Sequence, residues 1–140
     1  MNLPYKYSNI AIGVLIIFVI PIVFFIFSKD ITDLLSTLLL TCVLNYSIIR
    51  KYGNILSFDG SKMIFKNILF FKREYSINQI QRISLYTEYG FLKNSIYVNI
   101  RTERGFKKIH LGTLSSDNMQ MLYDYLHNNV DCHIEIMNSK

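Results

Sequence analysis

Apolar positions crowd the first fifty residues of this chain, then thin into an alternating mixture. From Ile10 to Phe27 the chain reads IAIGVLIIFVIPIVFFIF, 18 residues without a charge. As a helix this run reaches about 27 Å, near the roughly 30 Å hydrocarbon core of a bilayer. A second run extends from Ile31 to Ile49, with Asp33 near its start and no charge over the 16 residues Leu34–Ile49. Only Ser28, Lys29 and Asp30 separate the runs, enough for a tight turn. The pattern therefore predicts two close antiparallel helices, the second capped by Thr32 or Asp33. A cleaved secretory signal is a rival reading of the first run. That run ends in Phe24, Phe25, Ile26 and Phe27 and has no small-residue cleavage site. A buried soluble hairpin is the other rival, but little chain remains to cover two such helices.

Polar positions in the second run have their own period. Asp33, Thr37, Thr41 and Asn45 recur every four residues and share one helix stripe. Thr37, Thr41 and Asn45 are candidates for a helix-packing seam, because a polar side chain in lipid needs a protein partner. The seam is expected to face the first helix or another subunit. A proton relay needs an ionisable group deep in the span, and none is present. Pro21 predicts a kink in the first helix.

Beyond a juxtamembrane linker at 50–53, the period changes from helical to two. Asn54–Phe58 and Lys62–Lys66 read as strands joined at Asp59–Gly60, a strong reversal signal. ILFF, Ile68–Phe71, is an apolar turn leading into a third strand near Phe71–Ser76. Ile83 and Leu85 mark a fourth strand, with Arg82, Ser84 and Tyr86 on its other face. Ile96, Val98 and Ile100 mark a fifth, and Ile109 and Leu111 a sixth after a turn at Glu103–Gly105. The alternation slips between Phe106 and Ile109, which predicts a bulge. Met119, Leu122, Leu126 and Val130 then step at helical spacing, with Ser115 or Ser116 as cap and Asp117 in the first turn. The tail 131–140 is left open between a short edge strand through Ile134 and Ile136 and a loose end. The predicted core is Met63, Phe65, Ile83, Leu85, Val98, Ile100, Ile109, Leu111, Leu122 and Leu126.

Two apolar segments followed by ILSFDGSKMIFKN, KREYSINQIQRISL, SIYVNIRTERGFKKIHLG and a final helix resemble the bacterial pleckstrin-homology-like (PH-like) small membrane proteins of the YcxB-like type. The resemblance covers Asn54–Asn129 and the order of the anchor. It implies an α+β fold: an N-terminal two-helix transmembrane hairpin at 10–49, then a PH-like curved antiparallel barrel at 54–130 capped by its C-terminal helix. Short tails at 1–9 and 131–140 flank these parts. The barrel implied has one strand more than the six read from alternation. Eukaryotic relatives bind phosphoinositides through basic first loops; here Asp59, Gly60 and Ser61, with Lys62 after them, offer no dense phosphate cradle.

Charge sharpens the picture of surfaces. The 140-residue chain carries a formal net charge of +5. Between Lys62 and Lys108 ten Lys or Arg face three Glu, whereas from Ile109 onward one Lys faces three Asp and one Glu. Lys62, Lys66, Lys72 and Arg73 form one candidate basic patch and Lys107 and Lys108 another small one, together a candidate basic surface for anionic headgroups. Tyr89, Phe91, Leu92 and Lys93, around Gly90, form a candidate contact loop for protein or lipid. Lys6, Arg50 and Lys51 against Lys29 favour both termini in the cytoplasm, hence a multi-pass membrane protein with two spans.

Chemistry is not encoded in any motif. Cys42 and Cys132 suggest neither a disulfide framework nor a metal site. His110, His127 and His133 match no metal spacing, and Cys132 beside His133 is only a sequence neighbour pair. Glu74, Glu88 and Glu103 lie in separate elements, and neither a phosphate-binding nor a dinucleotide-binding glycine motif occurs. The reading is a noncatalytic chain with no catalytic residues, no metal and no cofactor. Nucleic acid is disfavoured, since no recognition helix, zinc finger or single-strand binding motif accompanies the basic charge. The expected function is a membrane-anchored protein-binding or scaffold module, an immunity or defence-associated protein being one specific version. An anionic-lipid or envelope-stress sensor and an accessory subunit of a membrane transporter or enzyme complex are the alternatives. Expected partners are membrane lipids and a membrane or cytoplasmic protein, self-association included.

Overall fold

A computed structural model describes residues 3–6, 8–89 and 94–137, apart from the side chains at positions 8, 9, 12, 13 and 16. Two helices open it: α1, Ser8–Ser28, with Pro21 inside it, and α2, Ile31–Tyr52. They pack along each other and turn at Lys29, which takes a left-handed φ of 52°, and Asp30. Asp30 is the cap of α2, in place of the expected Thr32 or Asp33. Its extended backbone lets the carboxylate accept from the Thr32 amide at 2.8 Å.

The expectation of two membrane spans is not upheld. Among the described residues one helix, Ile31–Tyr52, is long and apolar enough to cross a membrane; in α1 the described apolar run is the shorter Ile17–Ser28. The multi-pass topology, and with it the placing of both termini on one face, loses its basis. What remains is one membrane-length helix, consistent with membrane association. Its surface fits, since Leu35, Leu38, Leu39, Leu40, Val43 and Leu44 are exposed.

Among the described residues seven strands follow. β1, Asn54–Asp59, β2, Lys62–Asn67, and β3, Lys72–Ser76, form a three-stranded antiparallel sheet. The β1–β2 reversal uses Gly60 at a φ of 55°, a conformation few other residues hold without strain. A short 3-10 turn, Ile77–Gln79, leads to β4, Ile80–Glu88. β5, Ser95–Thr102, β6, Gly105–Ser115, and β7, His133–Met137, complete a second sheet in the order β6-β5-β4-β7. Between β6 and β7 lies α3, Met119–His127, nine residues long and preceded by the 3-10 turn Ser116–Asn118. Ser115 and Ser116 make no cap bond to this helix. The Ser115 hydroxyl instead meets the Asp117 carboxylate at 3.2 Å.

These are two sheets, and the curved barrel expected from the resemblance is not formed. Two features keep it open. β7 pairs in parallel with β4, Ile83 opposite Ile134, and so occupies the edge of β4 that β5 leaves free. β6 leaves β5 early: Ser95 pairs with Ser115 but Ile96 pairs with Leu111, so Gly112, Thr113 and Leu114 are unmatched. The expected irregularity between Phe106 and Ile109 is absent, since Arg101 to Val98 pair in unbroken register with Phe106 to Ile109. The bulge at 112–114 turns the end of β6 towards β1 and the N-terminal segment. There the Thr113 hydroxyl donates to the Asn54 carbonyl at 3.1 Å and the Lys6 amide donates to the Thr113 carbonyl at 2.8 Å.

The core lies between the sheets and α3. All ten residues predicted for it are buried, joined by Leu3, Leu56, Ile80, Ile96, Leu114, Val130 and Ile134. Each large apolar side chain fully buried contributes about 1.5–3 kcal/mol relative to exposure. Leu122 and Leu126 bring α3 onto this core, and Tyr125 packs its ring 5.4 Å from that of Phe58 on β1. The tail predicted as either an edge strand or a loose end is β7, held by Arg82 and Ser84 of β4, which both bond the Glu135 carboxylate.

Candidate functional site at the helix–sheet junction

A helix leaves its last carbonyls without partners. In α2 they are captured by two asparagines from the adjoining strands. Asn67 Nδ2 is shared between the Ile49 and Arg50 carbonyls at 3.0 and 3.2 Å. Asn54 Nδ2 donates to the Lys51 carbonyl at 2.8 Å and the His110 carbonyl at 2.9 Å. The two side chains also meet, Asn67 Nδ2 to Asn54 Oδ1 at 3.1 Å, and both residues are buried. Asn54 and Asn67 pair across β1 and β2, so one rung of the sheet clamps the end of the helix. Gly112 lets Tyr52 approach closely: a Cβ there would lie 2.5 Å from the Tyr52 Cβ. Sequence reading missed this clamp. Its one signal was an asparagine directly after the helix-ending Gly53.

Beside the clamp, on the face of the second sheet away from α3, sits a polar and aromatic cluster. Tyr86 and Tyr97 stack with ring centroids 4.7 Å apart, and Lys108 Nζ stands 3.7 Å from the Tyr97 centroid. Such a cation over a ring contributes about 0.5–1 kcal/mol at an exposed site. His110 lies edge-on to Tyr52, with Tyr97 tilted against it. Its Nδ1 is 2.7 Å from Glu88 Oε2, an ion pair when the ring is protonated. Burial holds the His110 pKa below its usual range, and Lys51 and Lys108 act in the same direction against the pull of Glu88. Lys51 Nζ lies 3.8 Å from the other Glu88 oxygen and 2.7 Å from the Tyr52 hydroxyl. A half-buried carboxylate and imidazole this close make a pH-responsive contact. Among the described residues no group of three or more His, Cys, Asp or Glu could hold a metal ion.

On the opposite flank, the β2–β3 loop rises beside α2. Asn67 shapes it: its amide donates to the Phe71 carbonyl at 2.7 Å, its carbonyl accepts from the Phe70 amide at 2.9 Å, and its side-chain oxygen accepts from the Leu69 amide at 3.0 Å. Phe70 is held at a φ of 66°, a left-handed conformation costing a bulky residue on the order of 1–3 kcal/mol. Its side chain is 97% exposed. Phe71 stands edge-on to Tyr46 of α2, and the Arg50 guanidinium lies 5.6 Å from its ring centroid.

The predicted site residues are dispersed by the fold. Thr41 and Asn45 are buried and Thr37 is half-buried on α2. The Thr37 hydroxyl bonds the Asp33 and Leu34 carbonyls and that of Thr41 bonds Leu38, all within α2. The Asn45 amide is buried with no partner among the described residues. Lys62, Lys66 and Lys72 share the outer face of the three-stranded sheet, and Glu74 bonds both Lys62 and Lys72. Those two lysines hold the Glu74 carboxyl at about 2. Arg73 has the opposite strand parity, while Lys107 and Lys108 lie on β6 of the other sheet. The two candidate patches therefore lie on different sheets. In the candidate contact loop Tyr89 is exposed, and Phe91, Leu92 and Lys93 fall outside the described residues.

No protein-family model, curated protein or solved structure matches this chain.

Proposed function

We propose that this protein is a membrane-associated, noncatalytic binding module that presents a sheet face to a protein partner at the membrane surface. The observation that carries the reading is the outer face of the four-stranded sheet, where the partly buried Tyr86–Tyr97 stack and the exposed Lys108 lie beside the end of the membrane-length helix. Tyrosine rings give large contact area with few rotors to freeze, which suits a protein interface. The asparagine clamp supports the same reading, because it fixes the sheets to the helix and so gives the face a set orientation. A partner moving in the same membrane then meets a preorganised surface, and preorganisation lowers the entropy lost on association.

The test is photo-crosslinking of the full-length chain in its native membrane, with the reactive residue at Asn99, beside Tyr97 and Lys108. The expected result is a specific adduct with a discrete protein, absent when the same residue stands at Lys66 on the other sheet. Equal adduct patterns from both positions, or none at Asn99, would reject the assigned face.

A further inference from the structure

The geometry points to a second membrane contact: the β2–β3 loop, Ile68–Phe71, inserts its apolar side chains into the interface of an anionic bilayer beside α2. This goes beyond the protein-binding reading and rests only on the membrane association of α2. Ile68, Phe70 and Phe71 are 41%, 97% and 46% exposed. They project from a loop that its own hydrogen bonds hold in shape, including the Ile68 amide on the Gly53 carbonyl at 3.2 Å. An aromatic side chain held outward in a strained backbone does not collapse onto the core, so its apolar surface is available to lipid.

Height and charge choose the occupant. Phe71 meets Tyr46 and Arg50, both within the last two turns of α2. At about 1.5 Å per residue, Tyr46 lies about 9 Å from the helix end at Tyr52, the depth of an interfacial layer. Arg50 and Lys51 close the helix there, and Lys72 and Arg73 follow the loop directly. Lys72 is engaged by Glu74, whereas Arg50 lies 5.6 Å from the Phe71 ring centroid and the exposed Lys66 sits on the β2–β3 rung that adjoins the loop. Aromatic rings under a collar of basic groups match the boundary between acyl chains and anionic headgroups.

The chain contains no tryptophan, so Phe70→Trp introduces a single reporter. The full-length variant is placed in vesicles of phosphatidylglycerol or phosphatidylcholine carrying bromine on the acyl chains. Expected are a blue-shifted emission and strong bromine quenching. A separate Phe106→Trp variant, with its reporter exposed on the β5–β6 hairpin, should show neither. Replacing Arg50 and Lys66 with Gln should reduce the preference for phosphatidylglycerol by about fivefold per charge. The unmodified chain gives a parallel readout: a lipid with a photoreactive acyl chain should attach to the peptide bearing Ile68–Phe71. The same emission from the Phe70→Trp and Phe106→Trp variants, or lipid attachment confined to the helices, would overturn the proposal. Shielding of the Phe70→Trp reporter in native membranes but not in lipid vesicles would also overturn it, in favour of a protein on this loop.

Discussion

At the scale of single residues, His110 has the clearest consequence. It packs between Tyr52 and Tyr97, close to Glu88, Lys51 and Lys108. Burial favours the neutral ring, so its pKa in the fold lies below the ordinary 6.5. Between those two values the unfolded chain binds a proton that the folded chain does not, so stability rises with pH there. The contribution is complete above pH 6.5 and is lost as pH falls through the folded value. His110→Phe keeps an aromatic ring against both tyrosines and removes the titration. Unfolding midpoints measured from pH 7.5 downward should fall below about pH 6.5 for the unmodified chain and stay level there in the variant. Both should then lose stability in more acid solution. There Glu74, held down to about 2 by Lys72 and Lys62, and Glu135, lowered by Arg82 and Ser84, leave the carboxylate form. A parallel decline of the two proteins across the higher range would assign the sensitivity to another group.

At the scale of elements, local pattern was a good guide and long-range pairing was not. Alternation in KMIF, RISL and YVNI placed the inward residues of β2, β4 and β5, because a half-buried strand has a period of two. It could not say that β7 would join β4 in parallel, since that choice depends on α3 carrying the chain back across the core. Nor could it place the bulge. Gly112, Thr113 and Leu114 look like ordinary strand residues until Tyr52 arrives from α2. The close approach is testable. Gly112→Ala places a methyl 2.5 Å from the Tyr52 Cβ and 2.9 Å from its Cδ1, an overpacking worth about 1–3 kcal/mol. In a Tyr52→Gly background most of that loss should disappear, because the opposing atoms are gone. Equal losses in both backgrounds, read from denaturant unfolding, would show that Gly112 is needed for its backbone instead. The same reasoning explains why the polar surface was only partly legible. Sequence shows that Lys62, Lys66 and Lys72 are charged, but it took the β2–β3 register to put Glu74 between Lys62 and Lys72.

At the scale of the whole molecule, the helices and the sheets are one mechanical unit. The N-terminal segment supplies one attachment: Leu3 is buried in the core, and the Tyr5 hydroxyl accepts from the Leu56 amide at 2.9 Å and donates to its carbonyl at 3.2 Å. The asparagine clamp supplies the other, at the far end of the helix pair's path. Such coupling should be cooperative within the clamp, because Asn67 donates to Asn54 as well as to α2. Removing either amide takes a donor from part-buried carbonyls, at about 1–3 kcal/mol for each substitution to Ala. The double variant Asn54→Ala with Asn67→Ala should lose less than the sum of the two, with a coupling of about 0.5–3 kcal/mol. Hydrogen exchange should also quicken together at the C-terminal turn of α2 and along β1 and β2. If only α2 loosened while the strands kept their protection, the clamp would be a helix cap and nothing more, and the sheet face would swing free of the membrane normal. A sheet fixed by both attachments instead holds the Tyr86–Tyr97 face and the Phe70 loop at constant heights relative to α2. That fixed geometry keeps the two surfaces apart on one short chain.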